Sequence, residues 1–454
     1  MKSFIAWVIE AMAQNSSRDA ELEASLKRAS GQAIRDTIPH LVEHWQAKSW
    51  LGQSNAYRED PVQRLKDNDV KHDDLSEYVA ASAIAHCFDG WSYLGRALEA
   101  EIAGDPNAAR HLGYYSELRA AMSLLASGGI GVFNRKHVVV ESNRCCKVIK
   151  GYVTHVFVWK ALEIWIGLSA GSDSIRNSVA PGSIPLTDWL EQFNAGSDFV
   201  PEAWRTQWGL DLSRLAEDKD ARNNASYRPT AFTSPSPRSI ESTMRGILRL
   251  WELCDPGTSG GFPVLDSHLL RTCVHMIWQQ RKSRDDSDSY RQHLDGVLAA
   301  ISPKSCPAGQ WEEFLSHERL CDHHELIVDA RGRKTPLDKD HSKQVLARAT
   351  LLLRISTGCV AHLLEETELN GSSGLEFWSG GPSVRRRLWP ESSPVESSVD
   401  LWTDVEDASE SIEQWLDRDE NGLSLSSHAM WTEQAAAAAT LTTTERAFLW
   451  GAGL

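Results

Sequence analysis

Arg222 and Asn223, followed by Ser226, Tyr227 and Arg228 and closed by Pro229, gather two guanidiniums, polar side chains and a phenol at one helix end, residue types that could handle a phosphate. A guanidinium can hold a phosphate through two parallel N–H bonds and meet the charge that develops on phosphorus. Such chemistry also needs a group that takes a proton near neutral pH. Histidine suits that task because its imidazole titrates near neutrality. The residue at hand is Tyr227, whose phenol, at about 10, is a poor base unless strongly shifted. On a helix of about 100° per residue, positions 222, 226, 223 and 227 fall at about 0°, 40°, 100° and 140°, so they share one arc. Arg228 and Arg238 add positive charge nearby. The same residues also have an ordinary use. Asn, Ser and Pro end helices, and an Arg with a Tyr near a helix end packs as a pair. The two uses weigh evenly.

Other groupings are weaker. Cys306, His317, Cys321, His323, His324 and Glu325 are residue types that suit zinc, but their spacing fits no standard finger, and a polar loop is the better account. His268 and His275 lack an H-E-x-x-H carboxylate, and His40 and His44 lack a third ligand. No Walker-type loop and no G-x-S-x-G elbow occurs, and Gly128–Gly131 follows a helix rather than a strand. No metal and no cofactor is expected. Between Glu391 and Glu420 eleven acidic residues face a single base, Arg418, with Trp402 and Trp415 among them. That segment reads as a solvated acidic surface, or alternatively as a partner-binding stretch of a scaffold or regulatory subunit. Arg385-Arg386-Arg387 just before it suits an internal clasp to the acids as well as nucleic acid.

The elements that must hold these residues are helical. Asp105-Pro106 is a helix start, and Tyr115, Leu118, Met122 and Leu125 then form a stripe ending at Gly128-Gly129. Residues 151–167 are apolar nearly all round, as a central helix is. A third helix opens at Pro201 and runs to about Tyr227. A fourth carries Ile240, Met244, Ile247, Leu248 and Trp251. Helices at about 106–127, 150–168, 201–227 and 238–253 suit one four-helix bundle. Further helical patterns cover 75–103, 265–280, 287–301 and 342–369, and Lys136 to Glu141 is β-prone.

Two pieces resemble the HEPN superfamily and, within it, the YaaC-like branch. One is Tyr114-Tyr115-Ser116-Glu117-Leu118-Arg119-Ala120-Ala121, with Gly128-Gly129-Ile130 and His137-Val138-Val139 after it. The other is Arg222-Asn223 with Ser226-Tyr227-Arg228-Pro229. Together they span about a third of the chain. The resemblance implies a helical bundle, commonly dimeric, of a kind that often acts as a metal-independent ribonuclease in prokaryotic toxin and antiviral systems. It implies Arg222, Asn223 and Tyr227 as the catalytic positions, with Tyr227 where the family has His. It implies Arg228, Glu117 and Arg119 as substrate-binding residues. RNA or a nucleotide is then the implied ligand and a homo-oligomer the implied assembly.

Composition bounds the rest. The chain has 454 residues and a formal charge of −15, which excludes coating nucleic acid by bulk charge but not a local basic pocket. Eighteen Trp argue against long disorder. Eight scattered Cys with no C-x-x-C suit a reduced, cytoplasmic setting. No stretch reaches the ~20 apolar residues of a membrane helix. Phe4, Val8 and Met12 make Met1 to Ala13 an amphipathic helix rather than a leader. The expectation is an all-α protein with a HEPN-like four-helix bundle and helical N- and C-terminal extensions. A helical region at 1–105 precedes the bundle at 106–253. A helical region with an irregular insert follows at 254–370, and 371–454 holds a Gly/Ser/Pro-rich linker, the acidic segment and a terminal helix.

Overall fold

The computed structural model describes residues 18–45, 54–66, 70–196, 199–227, 237–258, 260–282, 290–301, 308–316, 324–335, 338–365, 388–389, 395–418 and 425–454. The described helices of ten or more residues are α1 (His72–Ile102), α2 (Pro106–Ser127), α3 (Thr154–Ile166), α4 (Ser169–Ser178), α5 (Leu212–Tyr227), α6 (Ile240–Cys254), α7 (Pro263–Lys282), α8 (Tyr290–Ile301), α9 (His341–Leu364) and α10 (Leu401–Leu416). The all-α class holds. One small sheet interrupts it, an antiparallel meander of β1 (Ile130–Val132), β2 (Lys136–Val140) and β3 (Cys146–Lys150). Ile130 pairs with Val139, and Val138 pairs with Val148. Only its middle strand was legible in the sequence. Met1 to Ala13, Arg228, Cys306, Arg385 to Arg387 and His317 to His323 lie outside the described residues.

α2 is the centre of the molecule. Asp105 caps it by accepting from the amides of Asn107 and Ala108, with Pro106 in the first turn, where a missing N–H costs nothing. It packs most extensively against α1 and α9, then α5 and α3. Small residues allow the close crossings. A Cβ on Gly90 of α1 would sit 2.6 Å from Leu353 Cδ2, and one on Gly113 of α2 would sit 3.0 Å from Val345 Cγ1. α9 is buried along nearly its whole length, Arg348 and Arg354 included, which is why its sequence shows no clean stripe.

The expected quartet is therefore corrected in two places. The third helix breaks: Gly209 takes φ +70°, and Asp211 starts α5 by accepting from the amide of Ser213 at 3.0 Å. α6 packs chiefly on α1, α7 and α10, because α1 and α9 already occupy the flanks of α2. The bundle around α2 thus draws helices from residues 72–102 and 341–364, well beyond 106–253. The short helix Glu445–Gly451 also packs on α1 and α9, and Thr444 Oγ1 donates to the Trp91 carbonyl at 2.5 Å.

Within the acidic segment, Leu401–Leu416 forms α10. Val405, Ala408, Ile412, Trp415 and Leu416 turn inward, and the carboxylates turn out. Trp415 is buried and donates to Glu433 at 3.1 Å, while half-buried Trp402 packs on Trp251 and Trp450. Its tryptophans are anchors for this chain's own core, as a solvated surface with internal anchors requires. Among the described residues no helix is long and apolar enough to cross a membrane.

Candidate functional site

α5 places Arg222 against α2 and α3, and the side chain is 8% exposed. Its guanidinium lies 5.3 Å from the ring centroids of both Tyr114 and Tyr115. Arg222 Nη2 is 3.2 Å from His155 Nε2, and the Tyr114 hydroxyl is 2.9 Å from His155 Nδ1. These contacts fix the imidazole. Arginine only donates, so Nε2 accepts from Arg222, and the proton of the neutral ring sits on Nδ1, pointing at Tyr114. His111, three residues before Tyr114 on α2, stacks on Tyr115 at 5.1 Å between centroids.

Two imidazoles therefore flank one guanidinium. Burial lowers the pKa of His155, and the charges of Arg222 and Lys219 lower it further. Burial and Arg222 lower that of His111 as well. Both rings are held neutral at pH 7, the form that takes a proton. Burial raises the Tyr114 phenol, so it stays protonated. A guanidinium, a neutral half-buried imidazole and a phenol can together bind a phosphate diester, abstract a proton beside it and orient the base.

Several expected site residues lie elsewhere. Tyr227 is 82% exposed at the last position of α5. The histidine beside Arg222 is His155, on α3. Asn223 is half-buried, next in sequence to Arg222. Glu117 is fully buried with no surface to offer a substrate. It faces Arg348 Nε at 3.5 Å, and Arg348 in turn donates to Asp218 Oδ2 from Nε at 3.0 Å and Nη2 at 2.6 Å. Arg119 is committed to α1, with Nη1 2.7 Å from His86 Nδ1 and 3.8 Å from Asp89. Arg238 pairs with Glu101 at 3.1 Å, also on α1. The periodicity of α2 explains the split. Tyr114 and Tyr115 face α3 and α5, whereas Glu117 faces α9 and Arg119 faces α1, so one motif serves four neighbours.

Sequence reasoning missed His155 and His111. The available signal was thin but real. His155 is the only histidine in a segment apolar nearly all round, and His111 lies one turn before the Tyr pair. Among the described residues, three of the four large exposed hydrophobics, Val153 at 47%, Val156 at 45% and Tyr227 at 82%, sit on α3, just before it, or on α5. No group of three or more His, Cys, Asp or Glu able to hold a metal forms among the described residues. Comparison of the chain with protein-family models, curated proteins and solved structures finds no match.

Proposed function

We propose that this chain binds RNA and cleaves it at Arg222 with His155, not Tyr227, as the base. The observation that supports this reading most is the contact of Arg222 Nη2 with His155 Nε2 at 3.2 Å, beside the Tyr114 hydroxyl. The likeness to HEPN proteins supplies the substrate class, and the geometry supplies the groups. An incoming phosphate draws the Arg222 N–H away from His155 and frees the Nε2 lone pair. The 2′-hydroxyl gives its proton to Nε2 and its oxygen attacks phosphorus. The P–O5′ bond breaks, leaving a 2′,3′-cyclic phosphate and a 5′-hydroxyl. The leaving oxygen takes a proton from solvent, to which His155 returns the one it took. Arg222 offsets the charge on the equatorial oxygens. Exposed Tyr227 offers a stacking face for a base. Val153 and Val156 offer apolar ground for a second copy of the chain. A reduced cytoplasm and a role in antiviral defence or a toxin system belong to the same proposal.

The test is cleavage of single-stranded RNA by the purified chain in chelator. Arg222→Ala and His155→Ala should each lower the rate by about 10²–10⁴, the usual worth of a positioned acid–base or charge-stabilising group. Tyr227→Ala should weaken binding and leave the chemical step within about tenfold. Absence of cleavage by the wild type, or a wild-type rate in either the Arg222 or the His155 variant, refutes the proposal.

A further inference from the structure

We propose a second anion site, specific for a phosphoryl group, in the cavity at the N-terminus of α9. The cavity measures about 170 Å³ and lies between α5, the loop 332–335 and the first two turns of α9. Its floor is His341, Gln344 and Arg348, at i, i+3 and i+7 of α9, with Asp218 of α5. Its rim is Arg214, Arg333 and Lys334.

Two polar side chains of this floor are more than nine-tenths buried and lack a partner on one side. Gln344 Oε1 accepts from the Lys334 amide at 3.0 Å, which fixes the flip of the carboxamide. Its Nε2 then packs against Gly332, where a Cβ would collide with it, and makes no hydrogen bond among the described residues. His341 Nδ1 is buried with no hydrogen-bond partner, and its Nε2 is 3.6 Å from Asp218 Oδ1, too far for a hydrogen bond. Buried polar groups are normally satisfied, and an exception asks for an occupant.

The charges indicate which occupant. Asp218 is neutralised by Arg348, Glu217 by Arg214 at 2.7 Å, and Asp338 by Lys334 at 3.4 Å. Arg333 is exposed and makes no ion pair among the described residues, so the rim carries an uncommitted positive charge. A helix of 24 residues begins at this floor behind Asp340, and its dipole favours an anion there. The Gln344 carboxamide, the Arg333 guanidinium and the Lys334 ammonium all line the cavity. A tetrahedral oxyanion with several acceptor oxygens satisfies them better than a planar carboxylate does. The volume leaves room beyond the oxyanion for part of the group that carries it.

Two sources supply this chemistry, a free phosphomonoester and the 5′-phosphate of an RNA. The site does not rest on the ribonuclease reading, since its residues are distinct from Arg222 and His155. The experiment is calorimetric titration of the full chain with inorganic phosphate, with AMP, and with one oligoribonucleotide bearing either a 5′-phosphate or a 5′-hydroxyl. The expected result is saturable binding that Arg333→Ala combined with Lys334→Ala weakens at least tenfold, that His341→Asn also weakens, and that, for phosphate and AMP, Arg222→Ala leaves unchanged. The paired surface variant changes no buried contact, so a loss there is not a loss of fold. A preference for the 5′-phosphorylated RNA that the double variant abolishes assigns the RNA end. Binding of phosphate or AMP with no such preference assigns the free ligand. No saturable binding of any probe, or binding that the double variant leaves intact, overturns the site.

Discussion

The triad of Glu117, Asp218 and Arg348 makes a sharp prediction about which of two buried carboxyls carries charge. Burial and the neighbouring Asp218 push Glu117 well above the usual carboxylate range. Burial also raises Asp218, but Arg348 pulls it back. Arg348 gives Asp218 two hydrogen bonds, at 3.0 and 2.6 Å, and approaches Glu117 only to 3.5 Å. The proton therefore sits on Glu117 and the charge on Asp218, and the group is neutral overall. Asp218→Asn strands a buried guanidinium and should cost about 3–5 kcal/mol. That agrees with about 4 kcal/mol for unit charges about 4 Å apart at an effective dielectric near 20. Glu117→Gln copies the protonated acid and should cost less than about 1 kcal/mol at pH 7. Arg348→Met should cost as much as Asp218→Asn. The Asp218→Asn/Arg348→Met double variant should recover most of the loss, because neither partner is then left charged and alone. The sign with pH follows. A carboxyl whose folded pKa lies above its unfolded one contributes stability that is complete below the unfolded value and lost as pH rises through the folded one. Raising the pH should thus weaken the wild type relative to Glu117→Gln. Urea unfolding followed by Trp fluorescence at several pH values reads all four variants. Equal costs for Glu117→Gln and Asp218→Asn at pH 7 would put the charge on the wrong residue and refute the assignment.

Two further outcomes test the fold. His137 accepts from the Phe133 amide at Nδ1, 3.3 Å away, and directs Nε2 to the Tyr152 carbonyl at 3.1 Å, stacked 3.6 Å from Phe157. Burial lowers its pKa to about 4. Its neutral form stabilises the fold above pH ~6.5, and that contribution, about 3 kcal/mol, is lost as pH falls toward the folded value. The urea midpoint of His137→Gln should show a shallower acid slope than the wild type, and an unchanged slope would remove His137 from the acid transition. A Cβ on Gly95 would collide with the Thr442 carbonyl where the C-terminal segment crosses α1. Gly95→Ala should cost about 1–3 kcal/mol in chemical denaturation, and a neutral result would mean that the crossing is looser than described.

What the sequence made legible depended on how one-sided each element is. The stripe of α2 and the Asp105-Pro106 start could be read, because cap and periodicity agreed. The bundle membership could not, because α9 is buried on all faces and α1 on most, and such helices carry no stripe to say which neighbour they meet. Gly90 and Gly113 held the relevant information, but a glycine in a helix does not name the residue that approaches it. The site shows the same division. Arg222 stood out because it shares an arc with polar neighbours on one helix. His155 lies 67 residues away on another, and only packing brings their nitrogens to 3.2 Å.

The candidate site and the buried triad share their supports. Tyr114 and Glu117 are one turn apart on α2, and Asp218 and Arg222 are one turn apart on α5, so each helix contributes one residue to the candidate site and one to the buried triad. Arg348, reaching from α9 to Asp218, ties the helix that carries Arg222 to α9, and the same two side chains form part of the floor of the α9 cavity.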